Sequence, residues 1–314
     1  MVLFGSPPAQ LVGRHREVER IRDALDSMPT RGTVLQVLGQ AGIGKTTLLM
    51  AGAAEARRRS MTVLYACGAE AEQRLLYSTI HQLLRPLLPT RDRLRSDQHE
   101  PLMNAFGMRD CGNRLDRCQV GQAALELITA TAERQPVVVI VDDLQWVDPA
   151  SRETLDFLAR RRPRERVVLL VASRNVLVPA TESAIENDDH LILAPLPPPD
   201  AAALLDSHAP DLSDHQRQRI LKMAEGNPLA LLELPIAIRS ELLSPRDAAV
   251  IPLTDRLRRA FTSRLGADRP IVRTLLLVAA LQDSDTWSET LAATSLLLKS
   301  DVPLSLLTEA AAAG

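Results

Sequence analysis

Gly39-Gln40-Ala41-Gly42-Ile43-Gly44-Lys45-Thr46-Thr47 is the stretch on which the reading of this 314-residue chain turns. Glycine, four residues, then Gly-Lys-Thr is the spacing of a loop that cradles phosphates. The glycines let the backbone fold tightly, so that several N–H groups point inward as an anion nest. Lys45 is placed to reach the β- and γ-phosphates, and the Thr46 hydroxyl to hold Mg²⁺. The flanks agree with this. Thr33-Val34-Leu35-Gln36-Val37-Leu38 before the loop is short and apolar, as a buried strand is. Thr47 to Ala56 after it consists mostly of helix formers, and a helix N-terminus adds its own N–H groups and dipole. Only three of the 37 basic residues are lysines, Lys45, Lys222 and Lys299, so a lysine at this point of the pattern is not background composition.

The second informative stretch is Pro136-Val137-Val138-Val139-Ile140-Val141-Asp142-Asp143. Five consecutive β-branched residues read as a strand buried on both faces. Two carboxylates stand where it ends, and in open α/β sheets ligands bind outside the carboxyl ends of the strands. Asp142 suits Mg²⁺, directly or through water. Asp143 suits the orientation or activation of an attacking water. Asp148, before Pro149-Ala150, reads as the cap of the next helix.

A hydrophobic content of 46% with 24% charged residues is that of a globular protein, long enough for more than one domain. Aromatics at 3% leave the core to aliphatic side chains. A net charge of −2 gives no bulk attraction to nucleic acid or anionic membrane. Cys67, Cys111 and Cys118 are odd in number and lack a metal-like spacing, which fits a reduced, cytoplasmic protein. The N-terminus carries no signal-peptide pattern, and the longest apolar run, Leu275 to Leu281, is too short to span a bilayer.

Along the rest of the chain, Leu11-Val12-Gly13-Arg14 leads into a helix with Val18, Ile21 and Leu25 on one face, and Met61 to Cys67 reads as a strand. Arg57, Arg58 and Arg59 fall at the end of the helix after the phosphate loop, where they complement its dipole. Leucine and isoleucine at 75, 76, 80, 83, 84 and 87 predict a helix over 72–88, and helical spacing returns from Gly121 to Arg134. A helix over 150–162 has Leu155 and Leu158 inward. Val167 to Arg174 is a buried strand ending in a cation, and His190 to Leu193 is a last short strand. Pro195, Pro197, Pro198 and Pro199 mark a boundary. Beyond it the pattern is helical, near 200–208, 213–225, 228–243, 254–265, 269–281, 287–298 and 303–313, with Gly226-Asn227-Pro228 shaped as the end of one helix and the cap and first residue of the next.

Taken together these motifs resemble the AAA-related P-loop ATPases. Gly39–Thr47 resembles Walker A and Val137–Asp143 Walker B. Finer features resemble the STAND class of signal-transduction ATPases. Asp142-Asp143-Leu144-Gln145-Trp146-Val147-Asp148 is similar to the extended Walker B of the large LuxR-family transcriptional regulators of actinobacteria. Val12-Gly13-Arg14 resembles their adenine-side motif, Ser173-Arg174 their sensor arginine, and Gly226-Asn227-Pro228 their Gly-x-Pro motif. The resemblance implies an α/β P-loop fold with a parallel five-stranded sheet of order 5-1-4-3-2, an all-α lid and the start of a winged-helix region. The corresponding domains are 1–196, 197–250 and 251–314. It implies ATP or ADP with Mg²⁺ as ligands, Pro228 and the Val12–Arg14 turn near the adenine, and Arg174 at the γ-phosphate.

The expected function is therefore an ATP-binding, slowly hydrolysing switch module of a signalling or transcriptional regulator. Lys45, Asp143 and Arg174 are its candidate catalytic residues, and Thr46 and Asp142 its candidate metal ligands. Asp142-Asp143 stands where AAA motors usually carry Asp-Glu, which argues for slow turnover. Protein partners or self-association on ATP binding are expected. DNA contact is expected only through a helix-turn-helix domain of the kind those regulators carry, for which this chain shows no signal. The alternatives are a turnover ATPase of the replication-initiator or loader kind, a P-loop small-molecule kinase, and a protein that binds nucleotide only for stability.

Overall fold

We describe the structure from a computed structural model, over residues 11–27, 33–93, 96–107, 117–161, 166–174, 189–241, 271, 274–275, 278 and 287–298. The chain forms two compact units. One comprises Met1–Leu204 with Glu225–Pro228, the other Leu205–Ala224 with Leu229–Gly314.

The first unit is built on five parallel strands: β1 (Thr33–Leu38), β2 (Thr62–Cys67), β3 (Val137–Asp142), β4 (Val167–Ser173) and β5 (Asp189–Ile192). Their order is β2-β3-β4-β1-β5, the expected one, and every neighbouring pair is parallel. Parallel strands need covered faces, and the period of two in β3 assigns each residue to one of them. Val137, Val139 and Val141 face a core made with α3 (Ser78–Leu84), α5 (Arg117–Ala132) and α6 (Pro149–Arg161), through Leu83, Leu127 and Leu155 among others. Val138 and Ile140 face the opposite core, made with α1 (His15–Asp26) and α2 (Lys45–Arg58) through Ile21, Leu25, Leu48 and Leu49. Each of these fully buried aliphatic side chains stabilises the fold by roughly 1.5–3 kcal/mol relative to exposure. On α2, a Cβ on Gly52 would lie 3.0 Å from Ile21 Cγ2, so α1 packs directly on its backbone. The arginines ending α2 are tied into ion pairs: Arg58 with Glu55, and Arg59 with Glu55 (2.8 Å) and Asp26 (2.5 Å).

The continuous helix expected over 72–88 is not formed. A 3₁₀ turn at Glu70–Glu72 is followed by a bend, and α3 begins only at Ser78, after Tyr77 in the left-handed region (φ 62°). Leu75 and Leu76, which the spacing put inward, are exposed. The reason is Asp148. Its fully buried carboxylate accepts from Tyr77 N (2.8 Å), Thr79 N (3.3 Å) and Ser78 Oγ (3.3 Å), and also from Ser151 N (2.9 Å) at the start of α6. One aspartate thus caps two helices, the expected one and α3, and sets where α3 starts. Residues 85–93 continue as a 3₁₀ stretch, and α4 (Ser96–Ala105) lies within the segment that periodicity left unread.

After β5 come α7 (Pro198–His208), then α8 (Asp214–Ala224), which in the second unit is linked to α7 by a two-bond Arg217–Asp206 pair (2.6 and 2.8 Å). α9 (Pro228–Glu241) starts at the last residue of the first unit, and α10 (Trp287–Leu298) lies in the second. Of the winged-helix expectation, 254–265 and 303–313 lie outside the described residues. No helix among the described residues is long and apolar enough to cross a membrane.

Asp148→Ala leaves three buried N–H groups without their acceptor. We expect a loss of about 3 kcal/mol in urea unfolding, with Asp148→Asn, which keeps one acceptor oxygen, losing less.

Candidate active site

The phosphate loop joins β1 to α2. Gly44 has φ 102° and hands the chain directly to Lys45, the first residue of α2, so the loop's N–H groups and those of the helix N-terminus are contiguous. Five of its carbonyls, those of Gly39, Gln40, Ala41, Ile43 and Gly44, have donors. Lys45 Nζ donates to Gly39 O (2.7 Å) and Gln40 O (2.9 Å), and Ile43 N donates to Gln40 O (3.3 Å). Leu48 N donates to Gly44 O. Ile43 O accepts from Arg14 Nη2 (3.2 Å), and Ala41 O from Asn227 Nδ2 (3.0 Å).

The acids arrive from β3. Asp142 is 1% exposed. Its Oδ2 accepts from Thr46 Oγ1 at 2.6 Å and its Oδ1 from Asp143 N at 2.9 Å. Burial raises its pKa, opposed by the Thr46 hydroxyl and reinforced by the neighbouring Asp143 charge. Two hard oxygen donors, one of them a buried carboxylate at a raised pKa, fit a divalent cation that shares its remaining positions with phosphate and water. Thr46 and Asp142 are the side chains that would hold Mg²⁺, which when bound offsets charge on the β- and γ-phosphates.

Asp143 follows in the left-handed region (φ 48°). That turn packs on Gly68, where a Cβ would lie 2.4 Å from Asp143 O, so a larger residue after β2 would displace the acid. Asp143 Oδ1 accepts from Gln145 Nε2 (2.8 Å), while Gln145 Oε1 accepts from Arg174 N (3.2 Å). The Arg174 guanidinium lies 5.5 Å from the centre of the Trp146 ring, and Gln73 Nε2 donates to Gln145 O (3.0 Å). The end of β4 is thereby connected to the acid pair through one glutamine amide. Sequence reasoning did not find Gln145 in this role. Its signal was present in the quoted Asp142–Asp148 run, but only the pairing of β3 with β4 brings Arg174 to it.

Lys45 is buried, and burial lowers its pKa to about 8, against the attraction of Asp143 and Asp142, with Arg174 adding to the depression. Lys45, Asp142, Asp143 and Arg174 therefore share one field. Val12 and Gly13 sit in the turn before α1. A cavity of about 440 Å³ between α1 and α2 is lined by Leu11, Val18, Ile21 and Leu48 together with the charged Arg22, Glu55 and Arg58. Arg14, expected on the adenine side, follows Gly13 at the start of α1. It is buried and donates to Ile43 O, to Ala194 O (2.7 Å) and to Glu17 (3.0 Å), all protein groups. Pro228 opens α9 directly after Asn227. Thr47 is exposed on the first turn of α2.

Residues 10–171 match the AAA ATPase domain family, more than half of the chain. The chain belongs to that family. The matched region is a P-loop domain of the nucleotide-binding ATPase kind, whose nucleotide is typically bound with Mg²⁺. It is 30% identical over 200 residues to an uncharacterized protein of Rhizobium meliloti, an alignment covering 54% of this chain and 19% of that protein. The chain thus matches about a fifth of the length of this relative. Among solved structures it is similar to a Walker-type ATPase of Pyrococcus abyssi, with 14% identity and a TM-score of 0.58, over 99% of this chain and 92% of that one. A STAND protein with a tetratricopeptide-repeat sensor from Pyrococcus horikoshii aligns at 20% identity and a TM-score of 0.45, over 98% of this chain and 40% of that one. The likeness to the Walker-type ATPase bears on the fold alone.

The depressed pKa of Lys45 makes nucleotide binding by this AAA ATPase depend on pH. Below about 8 the amine is charged, and its burial burdens the nucleotide-free protein in full. As pH rises from 8 toward the unfolded value, the folded protein loses the proton first and that burden is relieved. A phosphate beside the amine restores the charge, so binding above pH 8 takes up a proton. ADP affinity should fall by up to about tenfold per pH unit above 8, with proton uptake seen by calorimetry in buffers of different ionisation enthalpy. Lys45→Arg, charged throughout, should show no such slope.

Proposed function

We propose that this AAA ATPase is a nucleotide switch: it holds ATP or ADP tightly, hydrolyses ATP slowly, and serves a signalling or transcriptional regulator of the STAND type, similar to the large LuxR-family regulators, in the cytoplasm. The observation that carries the reading is the environment of Asp143. Its carboxylate is the candidate general base, yet one oxygen already accepts from Gln145 Nε2, and the backbone is in the left-handed region. That bond occupies a lone pair of the carboxylate and holds it toward Gln145, so it is not free to turn to a water. A side chain one methylene shorter than glutamate also reaches less far toward a water. Both favour slow turnover.

The remaining roles follow from position. The loop N–H groups and Lys45 bind the β- and γ-phosphates, Thr46 and Asp142 hold Mg²⁺, and Arg174 stands at the end of β4 for the γ-phosphate. Pro228 and the Val12–Arg14 turn flank the base. In such a switch, only a difference in nucleotide affinity between two conformations shifts their populations. Protein partners or self-association would read that shift, and DNA would be reached only through a separate helix-turn-helix domain.

The test is to denature the purified protein, identify the nucleotide released, and measure steady-state ATPase turnover. We expect retained ADP or ATP and turnover below about one per minute, far under the ~10 s⁻¹ median for enzymes. Lys45→Ala should lose the nucleotide, and Asp143→Asn should keep it while turnover falls further. Nucleotide-free protein with fast hydrolysis would refute the switch.

A further inference from the structure

The phosphate loop is braced from outside by a closed circuit of contacts. Asn227 Nδ2 donates to Ala41 O at 3.0 Å. Gly226, before it, accepts at its carbonyl from Leu196 N (2.8 Å). It lies so close to that segment that a Cβ would stand 2.4 Å from Leu196 O. Two residues earlier, Ala194 O accepts from Arg14 Nη2 (2.7 Å), and the same nitrogen donates to Ile43 O (3.2 Å), back on the loop. Ala41 and Ile43 flank Gly42. The two carbonyls that are pulled outward therefore bracket the middle of the loop.

A peptide unit is planar, so a carbonyl held outward sends the following N–H the opposite way. Bonding Ala41 O and Ile43 O from outside thus aims the N–H groups of Gly42 and Gly44 toward the phosphate side. We infer that Asn227 is a positioning residue for nucleotide binding: without touching the ligand, it holds the phosphate loop with its N–H groups inward. A carbonyl can only accept, so the NH₂ end of the Asn227 amide faces Ala41. A helix-capping role, which the Gly-Asn-Pro sequence by itself suggests, would instead use the side-chain oxygen. Gly226 is required because the turn lies against the Leu196 backbone, and that contact brings Asn227 to the loop. The inference rests on the nucleotide-binding reading above.

Asn227→Ser separates the two roles. Serine is a good N-cap but is one bond too short to reach Ala41 O. Asn227→Ala removes both functions. We expect ADP to bind Asn227→Ser and Asn227→Ala about three- to tenfold more weakly than wild type, the range of one net hydrogen bond. Nucleotide-free Asn227→Ser loses the Ala41 contact but keeps a cap, so its melting temperature should fall less than that of Asn227→Ala. If Asn227→Ser binds ADP as wild type does while Asn227→Ala is thermally destabilised, the residue is a cap and the positioning role is overturned. If Asn227→Ala fails to fold, the serine variant alone decides. Wild-type protein that binds no ADP would remove the nucleotide reading itself, an outcome distinct from a bound wild type with an unaffected serine variant.

Discussion

Parallel strand pairing is the constraint on which the rest depends. Because β1, β3 and β4 run the same way, their C-terminal ends share one edge of the sheet. That edge receives the phosphate loop from β1, the acid pair from β3 and Arg174 from β4. The Thr46–Asp142 bond of 2.6 Å joins residues 96 positions apart, and no local preference could form it. An antiparallel β3 would put Asp142 at the far end of a strand about 20 Å long.

The sheet edge also concentrates charge. Lys45 is buried among Asp142, Asp143 and Arg174, and burial outweighs the attraction of the two acids, so the amine titrates near 8 rather than at its ordinary value. Asp142 moves in the opposite sense for the same cause, since burial disfavours whichever form is charged. Farther along the same edge, burial pushes the Cys67 thiol up to about 11, which leaves it a poor nucleophile at neutral pH. A site with buried charges of both signs is arranged for a ligand that brings phosphates and a cation together.

Much of this was legible without coordinates. Strands β1, β3 and β4 are runs of β-branched and aliphatic residues buried on both faces, a pattern set by the chain itself. The spacing of the phosphate loop fixes the position of Lys45 at a helix start, because the turn and the helix are consecutive in sequence. Asp148 was legible as a cap of α6 but not of α3. Its second role depends on residues 70 positions away, and it cancels the helical reading of Leu75 and Leu76. Periodicity records which residues are apolar, while a buried acceptor decides where a helix is allowed to begin.

The strands themselves, the phosphate loop and the acids at the end of β3 could be read from the chain alone, since each is written in contiguous residues whose preferences are local. Tertiary structure decided what the motif residues touch. Arg14 joins the carbonyls of Ile43 and Ala194. Asn227, read as a cap, reaches the loop at Ala41 across 186 positions. Gln145, unremarked between two acids, joins Asp143 to the end of β4. These three side chains carry hydrogen-bonding groups that many partners satisfy equally well, so their use is set only when the fold brings one partner within reach and excludes water from the others.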